Sequence, residues 1–207
     1  MISIDKKFIF IHINKTAGTS IKQALQPGRG SLPPREPKRL PPGAISQDDI
    51  ECKDTPHWTY DEYKRYFGSS FGDFFKFSVV RNPWDRVVSA YEYERSKHVR
   101  FRSWNRPRSN PPSFKEWVIV NYNCNFENRM FNPCTYWLGD EMDFIARFEN
   151  LHEDFERTCK ILNVKCKLGH YKRSKDRDHY INYYDSETRE IIQTHFIKDI
   201  DAFNYKF

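Results

Sequence analysis

Twice in this chain a short apolar run ends in a polar turn and passes directly into a helical pattern. The first instance is Phe8-Ile-Phe-Ile-His12-Ile-Asn14-Lys15-Thr16-Ala17-Gly18-Thr19-Ser20. The second is Phe74-Phe-Lys-Phe-Ser-Val-Val80-Arg81-Asn82-Pro83-Trp84-Asp85-Arg86-Val-Val-Ser89. A third apolar stretch, from Asp143 to Phe148, precedes a helix that Asn150 and Glu153 are placed to cap. Strands alternating with helices predict an α/β fold: one domain over 1–207, with a central parallel sheet flanked by helices. In such folds ligands sit at the carboxyl ends of the strands. Unpaired N–H groups at a helix start, with the positive end of its dipole, favour an anion there.

In the first turn Lys15 supplies a point charge, and Thr16, Thr19 and Ser20 supply hydroxyls. Ala17 and Gly18 leave the backbone bare enough for phosphate oxygens to reach its amides. Ala17, Ile21, Ala24 and Leu25 fall at helical spacing and form an apolar face, which Gln26-Pro27-Gly28 ends. The pattern is not a Walker A loop, because no Gly-Lys-Ser/Thr follows four variable residues after a glycine. On its own such a turn also fits a solvated strand–helix connection.

In the second turn Asn82 is suited to the N-cap, Pro83 to the first helical position and Asp85 to the third. Trp84, Val87, Val88 and Tyr91 form the face to be buried, while Ser89 projects on the side of Asp85. Arg81 and Ser89 can together hold a terminal phosphate, the guanidinium binding as a fork. A surface ion pair for Arg81 and an incidental Ser89 are the alternative.

Residues His12 to Ser20 resemble the 5′-phosphosulfate-binding loop of the sulfotransferases, and Phe77 to Tyr91 resemble their 3′-phosphate-binding strand, turn and helix. The chain is most similar to the carbohydrate sulfotransferases and their small bacterial relatives. The resemblance continues through Phe144 to Phe155 and from Tyr183 to Phe207, and departs where the family usually has Pro and this chain has Asn14. It implies a P-loop-like nucleotide-binding architecture. The implied reaction is sulfuryl transfer from 3′-phosphoadenosine 5′-phosphosulfate (PAPS) to an acceptor hydroxyl or amine, on a carbohydrate, with no metal required. Lys15 and the loop amides would balance the charge that develops on oxygen. A C-terminal stretch, His170 to Arg177, matches a region where relatives carry Asn-x-Ser. Here Lys172-Arg173-Ser174 stands instead, with Ser174 the residue placed to reach the 3′-phosphate and a solvated basic loop the alternative.

The transfer needs a base for the acceptor's proton. His57 is the first candidate, since related enzymes place a catalytic His or Glu between the two nucleotide motifs. It also precedes the Thr59-Tyr-Asp-Glu62 capping box, and a helix start disfavours the imidazolium. Glu51, Asp54 and Glu62 are the carboxylate alternatives, and a surface loop histidine is the plain reading. His12 reads as a core or loop-orienting residue.

Composition limits the remaining classes. The chain has 207 residues, a net charge of +6 and 16% aromatic residues, and its pI is near 9.0. That balance suits an anionic ligand and would also suit nucleic acid, but no RNA-recognition or zinc motif is present. A P-loop kinase or nucleotide hydrolase, or a non-catalytic polyanion-binding module, are the alternative classes. The absence of a carboxylate cluster for Mg²⁺ counts against the kinase. Five cysteines without a Cys-x-x-Cys pair read as reduced thiols, with no zinc site. With no signal peptide or long apolar run, a soluble, cytoplasmic, bacterial enzyme is expected ahead of the catalytic fragment of a membrane-anchored one.

Further expectations concern the connections. Residues 26–47 form a Pro-rich loop, and about 97–112 form a basic loop. Within the latter, Lys97, Arg100, Arg102, Arg106 and Arg108 alternate with Phe101 and Trp104 and include no acid. Cations interleaved with aromatics suit a sugar-like acceptor bearing carboxylate or sulfate groups, or merely a solvated loop. Helices are expected over 60–67, after a Ser113–Glu116 cap, and over 186–196.

Overall fold

The computed structural model describes residues 1–25, 57–96, 111–123, 131–169 and 177–207. The Pro-rich loop, the basic loop up to residue 110, Glu51, Asp54 and Ser174 lie outside the described residues. The chain divides into two compact units, one made of 1–80 and 136–172, the other of 81–135 and 173–207.

The first unit holds the sheet. Its strands are β1 (Ile2–Ser3), β2 (Phe8–Ile11), β3 (Phe75–Val80) and β4 (Phe144–Arg147), in the spatial order β1-β2-β3-β4. β2, β3 and β4 run parallel, with Phe8 opposite Phe75 and Phe77 opposite Phe144. The short β1 is antiparallel to β2. Sequence pattern indicated only parallel strands, and two residues are too few to show a period. Alternation puts Phe8, Phe10, Phe77, Val79 and Ala146 on one face of the sheet. There they pack with Ile21 and Ala24 of α1 (Gly18–Leu25) and with Phe155, Cys159 and Leu162 of and after α5 (Leu151–Ile161). Each fully buried Phe or Ile contributes about 1.5–3 kcal/mol. Ile9, Ile11 and Ser78, pointing the other way, are also buried. Strands covered on both faces read as continuous apolar runs, as β2 and β3 do. The unit also contains α2 (Tyr60–Phe67). Its Thr59–Glu62 capping box is formed, and Trp58 packs on Tyr63 at 5.4 Å across it.

Before α5 the expected cap is not used. Phe148–Asn150 makes a single 3₁₀ turn, and Asn150 makes no side-chain cap bond. Asp154 instead accepts from the amide of Arg147 at 2.7 Å, so the acid in the first turn secures the strand end.

The second unit is helical: α3 (Pro83–Ser96), α4 (Phe114–Asn123), α6 (Ser186–His195) and α7 (Ile197–Phe203). Trp84, Val87, Val88 and Tyr91 are buried on α3, as expected. Ser113 and Glu116 cap α4 reciprocally. Asp185 caps α6 through Thr188, and a further helix, α7, follows the turn at Phe196. No glycine or proline marks that break in the sequence. Buried Asp199 of α7 accepts from the amides of Cys134 and Thr135 at 2.6 and 2.9 Å.

Candidate anion-binding loop and base

The loop after β2 is shaped by its backbone. Lys15 and Ala17 have φ of 65° and 68°, while Thr16 between them is not left-handed. Alternation of this kind turns successive N–H groups into one concavity, a nest that binds anions. Two non-glycine residues in the left-handed region cost about 1–2 kcal/mol each, and that strain is held by the surroundings. Thr16 is fully buried, and its hydroxyl donates to the Ile13 carbonyl at 3.0 Å. Its single proton is thus spent inside the loop. Lys15, Ala17 and Thr19 remain half-buried, and Ser20 is buried at the start of α1.

Gly18 has a conventional φ, and its role is close approach. A Cβ there would lie 1.9 Å from Cδ2 of His12. The His12 ring fills this space. It stacks on Phe10 at 5.8 Å and faces the His57 ring at 4.4 Å. Burial, then the charges of His57 and Lys22, push the His12 pKa well down, so His12 is neutral. His57 has φ of 48°, and its Nδ1 donates to the carbonyl of His12 at 2.8 Å. Trp137, fully buried, meets the His57 ring edge-on at 6.2 Å. The turn carrying His57 is tied to this wall, because the Tyr60 amide donates to the Trp137 carbonyl at 2.8 Å and the Tyr60 hydroxyl donates to Glu141 at 2.8 Å. Burial and then Glu141 push the Tyr60 phenol up to about 12, so it remains a donor. Lys15–Ser20 and His57 therefore belong to one unit, linked through His12.

In the second unit Asn82 caps α3, its side-chain oxygen accepting from the amides of Trp84 and Asp85 at 3.0 and 3.4 Å. Those donors are therefore engaged, and anion chemistry here falls to side chains. Arg81, nearly buried, forks onto Asp85 through Nε and Nη2, both at 2.7 Å. Arg177 binds the other oxygen of Asp85. Ser89, half-buried, lies one turn further along the same helix face. Two guanidiniums share one carboxylate on the helix face that also carries Ser89. Arg177 was the residue that sequence reasoning passed over: it ends the stretch in which Ser174 was singled out. Its pairing with a residue 92 positions away carries no local signal.

Among the described residues no group of three His, Cys, Asp or Glu side chains is placed to hold a metal ion. No helix among them is long and apolar enough to cross a membrane.

A parallel strand leading through a cation-bearing turn into a helix is an α/β arrangement suited to an anionic ligand at the strand's carboxyl end. The sequence model of the sulfotransferase family matches residues 1–206, and the chain belongs to that family. Among curated proteins none matches it.

Proposed function

We propose that this protein transfers a sulfuryl group from PAPS to a hydroxyl on a carbohydrate acceptor. The observation that carries the reading is the left-handed pair Lys15 and Ala17, which turns the loop after β2 into a nest beside a lysine. This donor set fits a 5′-phosphosulfate: a cation, loop amides and the hydroxyls of Thr19 and Ser20, in a stretch from His12 to Ser20 that contains no acidic residue. Arg81, Arg177 and Ser89 are assigned to the 3′-phosphate, with Ser174 a further candidate from the family resemblance. When bound, PAPS supplies the activated sulfuryl group. Lys15 and the loop amides stabilise charge appearing on its oxygens. His57 takes the acceptor's proton at Nε2, the nitrogen that carries the lone pair when Nδ1 donates to a carbonyl. The basic and aromatic residues between Lys97 and Arg108 support an acceptor that bears carboxylate or sulfate groups, and no nucleic acid is invoked.

Thermal stabilisation discriminates this from the alternatives. Adenosine 3′,5′-bisphosphate at a hundred times its dissociation constant should stabilise the protein by about 2.7 kcal/mol. ATP with Mg²⁺ or an oligonucleotide should do much less. Stronger stabilisation by ATP–Mg²⁺ would indicate a phosphoryl-transfer enzyme, and stabilisation by the oligonucleotide alone a polyanion-binding module. A screen of carbohydrate acceptors with labelled sulfate donor then identifies the second substrate.

A further inference from the structure

Away from the residues assigned above, two thiols stand against one another. Cys159 lies near the end of α5, 6% exposed, in the apolar cluster with Phe155 and Leu162. After the helix the chain reverses. The amide of Leu162 donates to Thr158 and that of Val164 to Cys159, both at 3.0 Å, and Asn163 takes a left-handed φ of 49°. The returning segment, without regular structure, packs Val164, Cys166 and Leu168 against the cluster. It brings Sγ of Cys166 to 3.0 Å from Sγ of Cys159. Both are free thiols, and Cys166 is the more exposed. A disulfide requires an S–S distance of about 2.05 Å. Closing the remaining gap of about 1 Å asks only for small side-chain rotations in a segment not fixed by a helix or strand.

We propose that Cys159 and Cys166 form a reversible intrachain disulfide that clamps the segment after α5 to the sheet-packed helix. The oxidant is a low-molecular-weight disulfide. The Cys166 thiolate attacks one of its sulfurs, breaking that S–S bond and releasing one thiolate. The Cys159 thiol then displaces the second thiol from the mixed disulfide, its proton leaving with that thiol. Two protein thiols are oxidised and one disulfide is reduced to two thiols, which is ordinary exchange chemistry. Burial, then the bond to Cys166, pushes the Cys159 thiol up to about 12. Cys166 is therefore the sulfur that meets the oxidant and Cys159 the one that resolves.

The test uses the full chain treated with oxidised glutathione, then unfolded, alkylated and mapped by mass. The peptide containing both residues should be about 2 Da lighter and carry no alkyl groups, with both thiols returned by reductant. Cys159→Ser should instead trap glutathione on Cys166. The oxidised wild-type protein should melt about 5 °C or more higher than the reduced form, and Cys166→Ser should show no such rise. If Cys159 and Cys166 stay fully alkylatable in a protein that circular dichroism shows to be folded, or if either pairs with Cys52, Cys124 or Cys134, the proposal is overturned. None of these readouts depends on sulfotransferase activity.

Discussion

The imidazole of His57 gives its Nδ1 proton to the main-chain carbonyl of His12, 2.8 Å away. A carbonyl only accepts, so the hydrogen bond fixes the tautomer and puts the lone pair of the neutral ring on Nε2. The residue that supplies this carbonyl also fills, with its ring, the space left by the missing side chain of Gly18. His57, His12 and the loop are thus three parts of one packed arrangement.

Replacing His57 by Ala should lower the rate of transfer by roughly 10²–10⁴-fold with little change in nucleotide affinity. Only neutral imidazole accepts a proton, so the wild-type rate should rise with pH through the titration of His57, and the variant should lose that acid limb. Pre-steady-state rates across pH check this. An acid limb that survived with ordinary turnover would move the role to Glu51, Asp54 or Glu62.

Lys15→Ala should leave the fold intact, because Lys15 is half-buried in a turn and outside the apolar cluster. Its loss should cost roughly 3 kcal/mol or more in the transition state, on the scale of a lost oxyanion donor. Near-normal turnover in a folded variant would remove Lys15 from the chemistry.

Replacing Arg81, Arg177 or Ser89 by Ala should weaken adenosine 3′,5′-bisphosphate more than adenosine 5′-phosphate. The difference should be about 1.5–3 kcal/mol per charge-assisted contact, smaller for the serine. Isothermal titration with both nucleotides reads it directly. Equal losses for the two would mean that these side chains hold something other than the 3′-phosphate.

Gly18→Ala tests the link between loop and base. The new methyl would overlap the His12 ring, so His12 must shift, and His57 with it. Overpacking of this kind costs about 1–3 kcal/mol. Both melting temperature and turnover should fall, whereas Ala17→Gly, which relieves a left-handed alanine, should not lower stability. A Gly18→Ala protein with full activity and unchanged melting would show that the His12 ring has room to move.

Stability should also depend on pH through His12. Its folded pKa lies below the unfolded value of 6.5. The unfolded chain therefore binds the extra proton first as pH falls, and the contribution present above 6.5 is lost on acidification. His195, lowered chiefly by burial, acts in the same direction. Melting temperature should drop from pH 7 to pH 5, and the drop should shrink in His12→Asn.

What the sequence disclosed was local. Thr59–Glu62, Trp58 with Tyr63, Asn82 with Pro83, and Ser113–Glu116 each announce a helix start within six residues, and each forms. The apolar runs of β2 and β3 announce buried strands for the same reason. What it hid was either too short or too distant to leave a pattern. β1 has two residues, α7 begins without a breaker, and Asp85 meets Arg177 from far along the chain. The loop was legible in residue type but not in geometry: the left-handed positions are Lys15 and Ala17, while the neighbouring glycine serves the contact with His12. Cys159 and Cys166 were masked by an odd count of cysteines and by spacing that matches no metal motif.

Asp85 has a consequence for turnover on the reading proposed here. Because it already occupies both guanidiniums, an arriving phosphate does not add to a bare pair of cations but exchanges with a carboxylate. Part of the attraction is given back on binding, and the same carboxylate recovers the donors when the spent nucleotide departs. Asp85→Asn should then bind adenosine 3′,5′-bisphosphate more tightly yet release it more slowly, so that a gain in affinity appears as a loss in cycling rate.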